Sequence, residues 1–215
     1  MVIGIFDSGS GGRFVAEKLQ RLLPSHDYIV VNDKENVPYG EKFYETIKEL
    51  THQAIKPLTA QCSLIVIACN TATAAALESL RVAYPEHTFI GFEPMIKPAA
   101  HQSKTNHLTL LATHATTTSE RTHQLIAAHA NDFIVDTPNT VGWATAIDNC
   151  QGDDISFDEV RNSINSGSDS IIIGCTHYIA LMPRLQATFS EIKIYEPTEA
   201  IARRIIKLTA GSPPR

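Results

Sequence analysis

The chain is expected to be an α/β protein with parallel sheets covered by helices on both faces, built as two similar halves. Two observations predict this. Short β-rich apolar runs alternate with stretches of helical period along most of the length. The segment IVIACNTATA (65–74) is also echoed by IIIGCTHYIA (171–180). Each is an apolar strand, a small residue, a cysteine and then residues rich in hydrogen-bonding groups. In open α/β sheets ligand groups gather at the carboxyl ends of strands. Two such halves facing each other would set Cys69 and Cys175 on opposite sides of one cleft.

In order, Val2–Phe6 reads as a buried strand, followed by a glycine-rich turn at Asp7–Gly12. A helix runs to about Leu23, with apolar positions at Phe14, Val15, Leu19, Leu22 and Leu23. Tyr28–Asn32 is a second strand, and Asp33–Tyr39 a polar loop ending in Pro-Tyr-Gly. A helix over Lys42–Ala60 is interrupted near Pro57; Leu64–Ala68 is a strand stopping at Cys69; Ala72–Ala83 is a helix and Thr88–Phe92 a strand. The second half opens with the strand Leu108–Ala112, then Thr113–Ser119 and a helix from Glu120 to about Ala130. A short strand at Ile134–Val135, a helix over Phe157–Ser166, the strand Ser170–Ile173, a last strand Ile192–Tyr195 and a last helix Thr198–Leu208 complete the pattern. Asp136–Asp154 carries no clear period, and the Pro-containing tail Gly211–Arg215 is expected to be loose.

With 215 residues, 43% of them hydrophobic and 19% charged, the chain can bury one large core or two small ones. A formal charge of −5 with no basic run argues against a nucleic-acid surface. Four cysteines without a CxxC pair argue against zinc ribbons and thioredoxin chemistry. MVIGIFDSGSGG enters a structured motif at once, with no basic or long apolar leader. No apolar run approaches the roughly 20 residues that span a bilayer. A soluble, cytoplasmic protein with reduced thiols is expected.

A lone cysteine at a strand end is ordinarily a buried packing residue. Two in matched strand-end contexts point to a working pair, with Cys62 and Cys150 left as ordinary thiols. Helix N-termini are expected directly after Cys69 and Cys175, favouring their anions. The loop Asp7-Ser8-Gly9-Ser10-Gly11-Gly12 has neither GxGxxG nor a Walker lysine. A plain strand-to-helix turn remains open for it. The preferred reading is a small-anion site, with backbone N–H groups and Ser8 holding a carboxylate and Asp7 working beside a catalytic group. Thr71 and Thr176 are open between helix capping and ligand binding. His177, next to Cys175, is placed to shuttle protons. The remaining histidines show no metal spacing and read as surface or packing residues, with His101 and His107 in a solvated linker.

The blocks IGIFDSGSGG (3–12), DKENVPYG (33–40), IVIACNTATA (65–74), GFEPMIKPA (91–99), LLATHATTTS (110–119), IIIGCTHY (171–178) and EPTEAIARR (196–204) resemble the glutamate racemase family, within the wider aspartate/glutamate racemase group. The resemblance covers most of the chain in the family's order. It implies two flavodoxin-like parallel-sheet domains related by a pseudo-two-fold axis, with the active site between them. Residues 1–95 plus 197–215 would form the first domain, and 96–196 a shortened second one. It implies cofactor-independent interconversion of L- and D-glutamate, feeding peptidoglycan, with no metal. Racemisation explains the two thiols: one removes the Cα proton from one face while the other delivers a proton to the opposite face. On this likeness Cys69 and Cys175 are the bases, assisted by Asp7 and His177. Ser8, Tyr39, Gly40, Asn70, Thr71 and Thr176 would hold the amino and carboxylate groups, with Thr113 and Thr116 contributing from the second domain. A homodimer is a further expectation.

One departure falls in the unassigned segment, where the family commonly has an apolar loop carrying a glutamate on the histidine side. Here it reads TPNTVGWATAIDNCQGDD (137–154), with Asp148 as a candidate substitute. The alternatives to a glutamate racemase are a racemase of aspartate or another amino acid, or a weakened homologue acting as a ligand-binding or regulatory protein.

Overall fold

Residues 1–210 are described by the computed structural model. The tail expected to be loose lies outside them. The first sheet is built from β1 (Val2–Asp7), β2 (Asp27–Asn32), β3 (Leu64–Ile67) and β4 (Thr88–Gly91), in the spatial order β2-β1-β3-β4. The second uses β5 (His107–Ala112), β6 (Ile134–Asp136), β7 (Ser170–Gly174) and β8 (Lys193–Tyr195), in the order β6-β5-β7-β8. All pairings are parallel; Ile3 pairs with Tyr28 and Leu64, and Thr109 with Asp136 and Ile171. The same order thus occurs twice, and the two cysteines follow the corresponding strands β3 and β7.

Both faces of each sheet are covered. This is why LIVI in β3 and SIIIG in β7 are buried at every position instead of alternating. On one face of the first sheet, Phe6, Ile65 and Ile67 pack against α2 (Tyr44–Ala54) and α4 (Asn70–Ala83) through Ile47, Leu77 and Leu80. On the other, Ile3, Ile5 and Val66 pack against α1 (Gly11–Leu22) and the final helix, whose Ile201, Ala202 and Ile205 share that core with Val15 and Leu19. The short α3 (Lys56–Thr59) packs on the same face through buried Leu58; the break before it falls at Ile55, close to Pro57.

In the second half α5 (Ile96–Gln102) and α7 (Glu120–His129) flank one face, with the single turn α6 (His114–Thr117) leading into α7. The other face carries α8 (Trp143–Asp148), α9 (Asp158–Asn165) and α10 (Met182–Thr188). The final helix is α11 (Thr198–Thr209). Where the chain crosses back to it, Lys18 Nζ meets the buried Glu196 carboxylate at 2.7 Å. Ile179, just past Cys175, packs into both the α1-side core of the first sheet and the core of the second. Among the described residues no helix is long and apolar enough to cross a membrane.

Three expectations are corrected. His107 is not in a linker: it is 5% exposed on β5, and its Nε2 lies 2.7 Å from Asp136 Oδ2. A polar neighbourhood in sequence was a strand start whose polar groups pair with one another; Thr109 donates to Ser163 or Ser168 (2.9 and 2.8 Å), and Ser163 donates to Asp136. The unassigned segment 136–154 contains α8, a helix of only 6 residues, too short to show a period, entered through Gly142 at φ +80°. No α-helix starts at Thr176. Thr176–Leu181 is a 3-10 segment, and α10 begins at Met182 with Pro183 in its first turn. Proline has no N–H to continue a ladder and is tolerated only in a helix's first turn, which sets the start of α10 there.

Ile205 is fully buried between α11 and the first sheet. Ile205→Ala is expected to cost about 2–5 kcal/mol, read as a lower urea midpoint. Partial burial of Asp136 opposes its charge, but hydrogen bonds from Ser163 and His107 outweigh it and hold the carboxyl below the usual carboxylate range. A depressed carboxyl stabilises the fold above its unfolded value and loses that contribution as pH falls through the folded one. Asp136→Asn should therefore flatten the acid limb of a stability–pH curve followed from about pH 6 to about pH 2.5. An unchanged acid limb would refute this.

Candidate active site

The carboxyl ends of both sheets face one cavity of about 580 Å³. Its walls include Ser8, Cys69, Asn70 and Thr71 from the first half and Thr113, Cys175, Thr176 and His177 from the second. Both cysteines are free thiols, 6% and 7% exposed, so the two echoed motifs open onto the same space. Tyr39 and Gly40 also line it. Asp7 is fully buried beneath the floor, and Thr116 sits behind the wall.

Cys69 is the N-cap of α4. Its Sγ accepts from Ala72 N–H at 3.4 Å and lies 3.2 Å from Ser8 Oγ. The capping position therefore belongs to the cysteine, not to Asn70 or Thr71. These contacts favour the anion, but burial, aided by the Asp7 charge, outweighs them and the thiol is pushed up to about 12. The expectation that the helix end would favour the Cys69 anion is overridden by desolvation.

Asp7 ends β1. Its Oδ1 accepts from Gly9 N–H at 2.8 Å and its Oδ2 from Thr176 Oγ1 at 2.8 Å. Thr176 is thus no helix cap; it donates across the cleft to a carboxylate of the other sheet. Burial raises the Asp7 carboxyl, against the opposing pull of His177 and these donors. On the facing wall Cys175 Sγ lies 3.8 Å from His177 Nδ1. Burial disfavours the charged ring, yet Asp148, Cys175 and Asp7 together raise His177 to about 11. Its Nε2 stands 3.4 Å from Asp148 Oδ2, within ion-pair range but not aligned as a hydrogen bond.

Thr71 Oγ1 is 2.9 Å from Thr113 Oγ1 and 3.2 Å from Thr116 Oγ1, linking the halves on the other flank. The Tyr39 hydroxyl donates to Asp33 Oδ2 at 2.7 Å, so its one hydrogen is already engaged outside the set of cleft residues named above. Asn70 Nδ2 is buried in the wall with no acceptor. Two glycines permit the close approach: a Cβ on Gly9 would lie 2.7 Å from His177 Nε2, and one on Gly40 2.7 Å from Thr113 Cβ. Among the described residues no three His, Cys, Asp or Glu side chains converge as a metal-ligand set.

The sequence reading missed Glu41, His114 and the stretch Thr137–Gly142, all of which line the cavity. A signal for the last was present. It follows β6 as Asp33–Gly40 follows β2, and the repeat puts both loops at the same place on their sheets.

The site is thus a cleft between the two sheets of a doubled parallel α/β fold, with one thiol on each wall, and the comparisons place that fold among the amino-acid racemases. A profile described as Asp/Glu/Hydantoin racemase matches residues 12–205. The chain belongs to that family. It is 35% identical to a glutamate racemase of Pseudomonas putida (strain W619), over 97% of this chain and 82% of that one. It superposes with a TM-score of 0.85 on an Escherichia coli glutamate racemase solved with L-glutamate and the activator UDP-MurNAc-ala, at 30% identity over 99% of this chain and 84% of that one. The glutamate racemase isoform RacE1 of Bacillus anthracis gives 0.79 at 26% identity, over 97% and 81% of the two chains.

Thiol accessibility checks this geometry. Cys150 is exposed and should alkylate first at neutral pH. Cys69 should label far more slowly, its rate climbing about tenfold per pH unit on the alkaline side as thiolate forms. Peptide mass spectrometry after timed labelling reads both; rapid neutral labelling of Cys69 would contradict the buried thiol.

Proposed function

We propose that the protein interconverts L- and D-glutamate through two cysteines without a cofactor, supplying D-glutamate for peptidoglycan in the cytoplasm. The observation that carries this is Cys69 and Cys175 lining one cavity from corresponding strand ends of two repeated sheets. Residues 1–95 with the C-terminal helix act as one unit and the remainder as the other; the packing of α11 against α1 supports that division.

From L-glutamate, Cys175 thiolate takes the Cα proton. The electron pair left on Cα is delocalised into the substrate carboxylate, and Cys69 thiol protonates the opposite face. From D-glutamate the roles reverse. A thiol pushed up to about 12 suits Cys69 to be the resting proton donor. Asp7, its carboxyl raised by burial, takes up the thiol proton when Cys69 must act as base. His177 serves Cys175 from 3.8 Å, its positive ring stabilising the thiolate. Asn70 Nδ2, lacking an acceptor, is positioned to take a substrate carboxylate oxygen, with Ser8, Thr71, Thr113, the Tyr39–Gly40 backbone and the Thr176 backbone N–H as further donors, the Thr176 hydroxyl being held by Asp7. Thr116 acts behind them, holding Thr71 and Thr113.

Cα hydrogen exchange of L-glutamate in deuterated water, followed by NMR, tests the reaction; no exchange above the uncatalysed rate would reject it. Cys69→Ser and Cys175→Ser are each expected to lose about 10²–10⁴-fold in racemisation. Cys175→Ser should still wash deuterium into D-glutamate better than L-glutamate, and Cys69→Ser the reverse. Equal exchange of both enantiomers by both variants would show that the faces are misassigned.

A further inference from the structure

The chain passes between the halves twice, each time just past the last strand of a sheet, and both passages have the same three-residue form. Phe92-Glu93-Pro94 follows β4, and Tyr195-Glu196-Pro197 follows β8. The aromatic side chain is buried in each and belongs to the half being left: Phe92 shares a core with Val66 and Ile90, Tyr195 with Leu110 and Ile172. Proline has a fixed φ and no N–H, and it restricts the residue before it to extended backbone. Each crossover is therefore a stiff joint.

Each glutamate is held by a cation from the half being entered. Arg121, on α7 of the second half, meets Glu93 through two bonds, Nε to Oε1 at 2.6 Å and Nη2 to Oε2 at 3.1 Å. Lys18, on α1 of the first half, reaches Glu196 Oε2 at 2.7 Å. The other Glu196 oxygen accepts from Thr198 N–H at 2.9 Å and from the Thr198 hydroxyl. Helix α1 follows β1, and α7 follows β5, the equivalent strand of the second sheet. The repeat thus makes the arrangement twice, with cation and carboxylate exchanged between halves. The surroundings differ: the Glu196 side chain is 2% exposed and that of Glu93 31%. Glu78 of α4, paired with Arg81 at 2.7 Å, also acts on Arg121.

We propose that Lys18 and Arg121 are positioning residues: by gripping the two Glu-Pro crossovers they fix the orientation of one half on the other, and so the alignment of Cys69 with Cys175 across the substrate. The catalytic consequence rests on the racemase reading above; the orientation does not. A bidentate arginine–carboxylate pair fixes direction as well as distance. The lysine pair holds because a carboxylate stranded out of water is costly. Most donors assigned to the substrate stand on the first half, whereas proton transfer needs a thiol from each. A changed orientation therefore acts on turnover more than on substrate binding.

Orientation can be read without substrate. Spin labels at Val82→Cys on α4 and Ile134→Cys on β6, both exposed sites, are introduced into a Cys150→Ser background, and the distance distribution is measured by double electron–electron resonance. Arg121→Met and Lys18→Met should each broaden or shift it. Arg121→Lys keeps the charge without the fork and should return only part of the effect. Glu78→Gln removes a neighbouring charge within the first half and should change nothing. In unlabelled protein Arg121→Met should lower kcat about five- to twentyfold with KM within about threefold. Should Lys18→Met fail to fold, Lys18→Met combined with Glu196→Gln removes the stranded charge and takes its place. An unchanged distribution in both charge-removing variants overturns the proposal, as does an equal change in Glu78→Gln. A changed distribution with unchanged kcat overturns the positioning role. If the parent protein does not racemise glutamate, the distances still decide the orientation and only the reaction is rejected.

Discussion

The molecule is organised around a carboxylate with no exposure to water. Asp7 is at the end of a central strand, and an isolated buried carboxylate is expensive unless hydrogen-bonded. Its own loop supplies one donor, Gly9 N–H; the other comes from Thr176 of the opposite sheet. The Thr176 hydroxyl thus ties the Asp7 carboxylate of one sheet to the strand end of the other, and the halves meet at this point. Meeting there brings Cys69 and Cys175 to one cavity, sets His177 over Gly9, and leaves Gly11 no room for a side chain against Thr176 Cβ, 2.6 Å from where a Cβ would sit.

The same contact explains the unlike environments of the two thiols. Asp7 contributes negative charge next to Cys69 and pulls His177 towards its charged form. One buried charge therefore acts with opposite sign on two groups of the facing walls. The repeat in the fold is nearly symmetric, but the electrostatics laid over it are not. A nearly symmetric scaffold thus carries its two cleft thiols in unlike electrostatic surroundings.

What was legible in the sequence was what buried apolar runs and short-range chemistry dictate. β3 and β7 are apolar throughout because helices cover both their faces, and their ends are marked by Cys69 and Cys175. The two-fold repetition was readable from those strands alone. Less legible were features decided by tertiary partners. His107 looks polar and exposed until Asp136 is placed against it. Thr176 looks like a helix cap until Asp7 claims its hydroxyl. Helix α8 has too few residues to declare a period, and Trp143 stabilises it through Phe157 and Tyr178, neither of them near in sequence. The Cys69 titration could not be judged from the adjoining helix, because desolvation is a property of the assembled cleft.

Ile179 packs into the cores of both halves, two residues beyond His177 and four beyond Cys175. One side chain thus belongs to two interiors. Truncating it would leave a void in both cores at once, so a packing defect in either half reaches the segment that carries the thiol and the imidazole through the same residue.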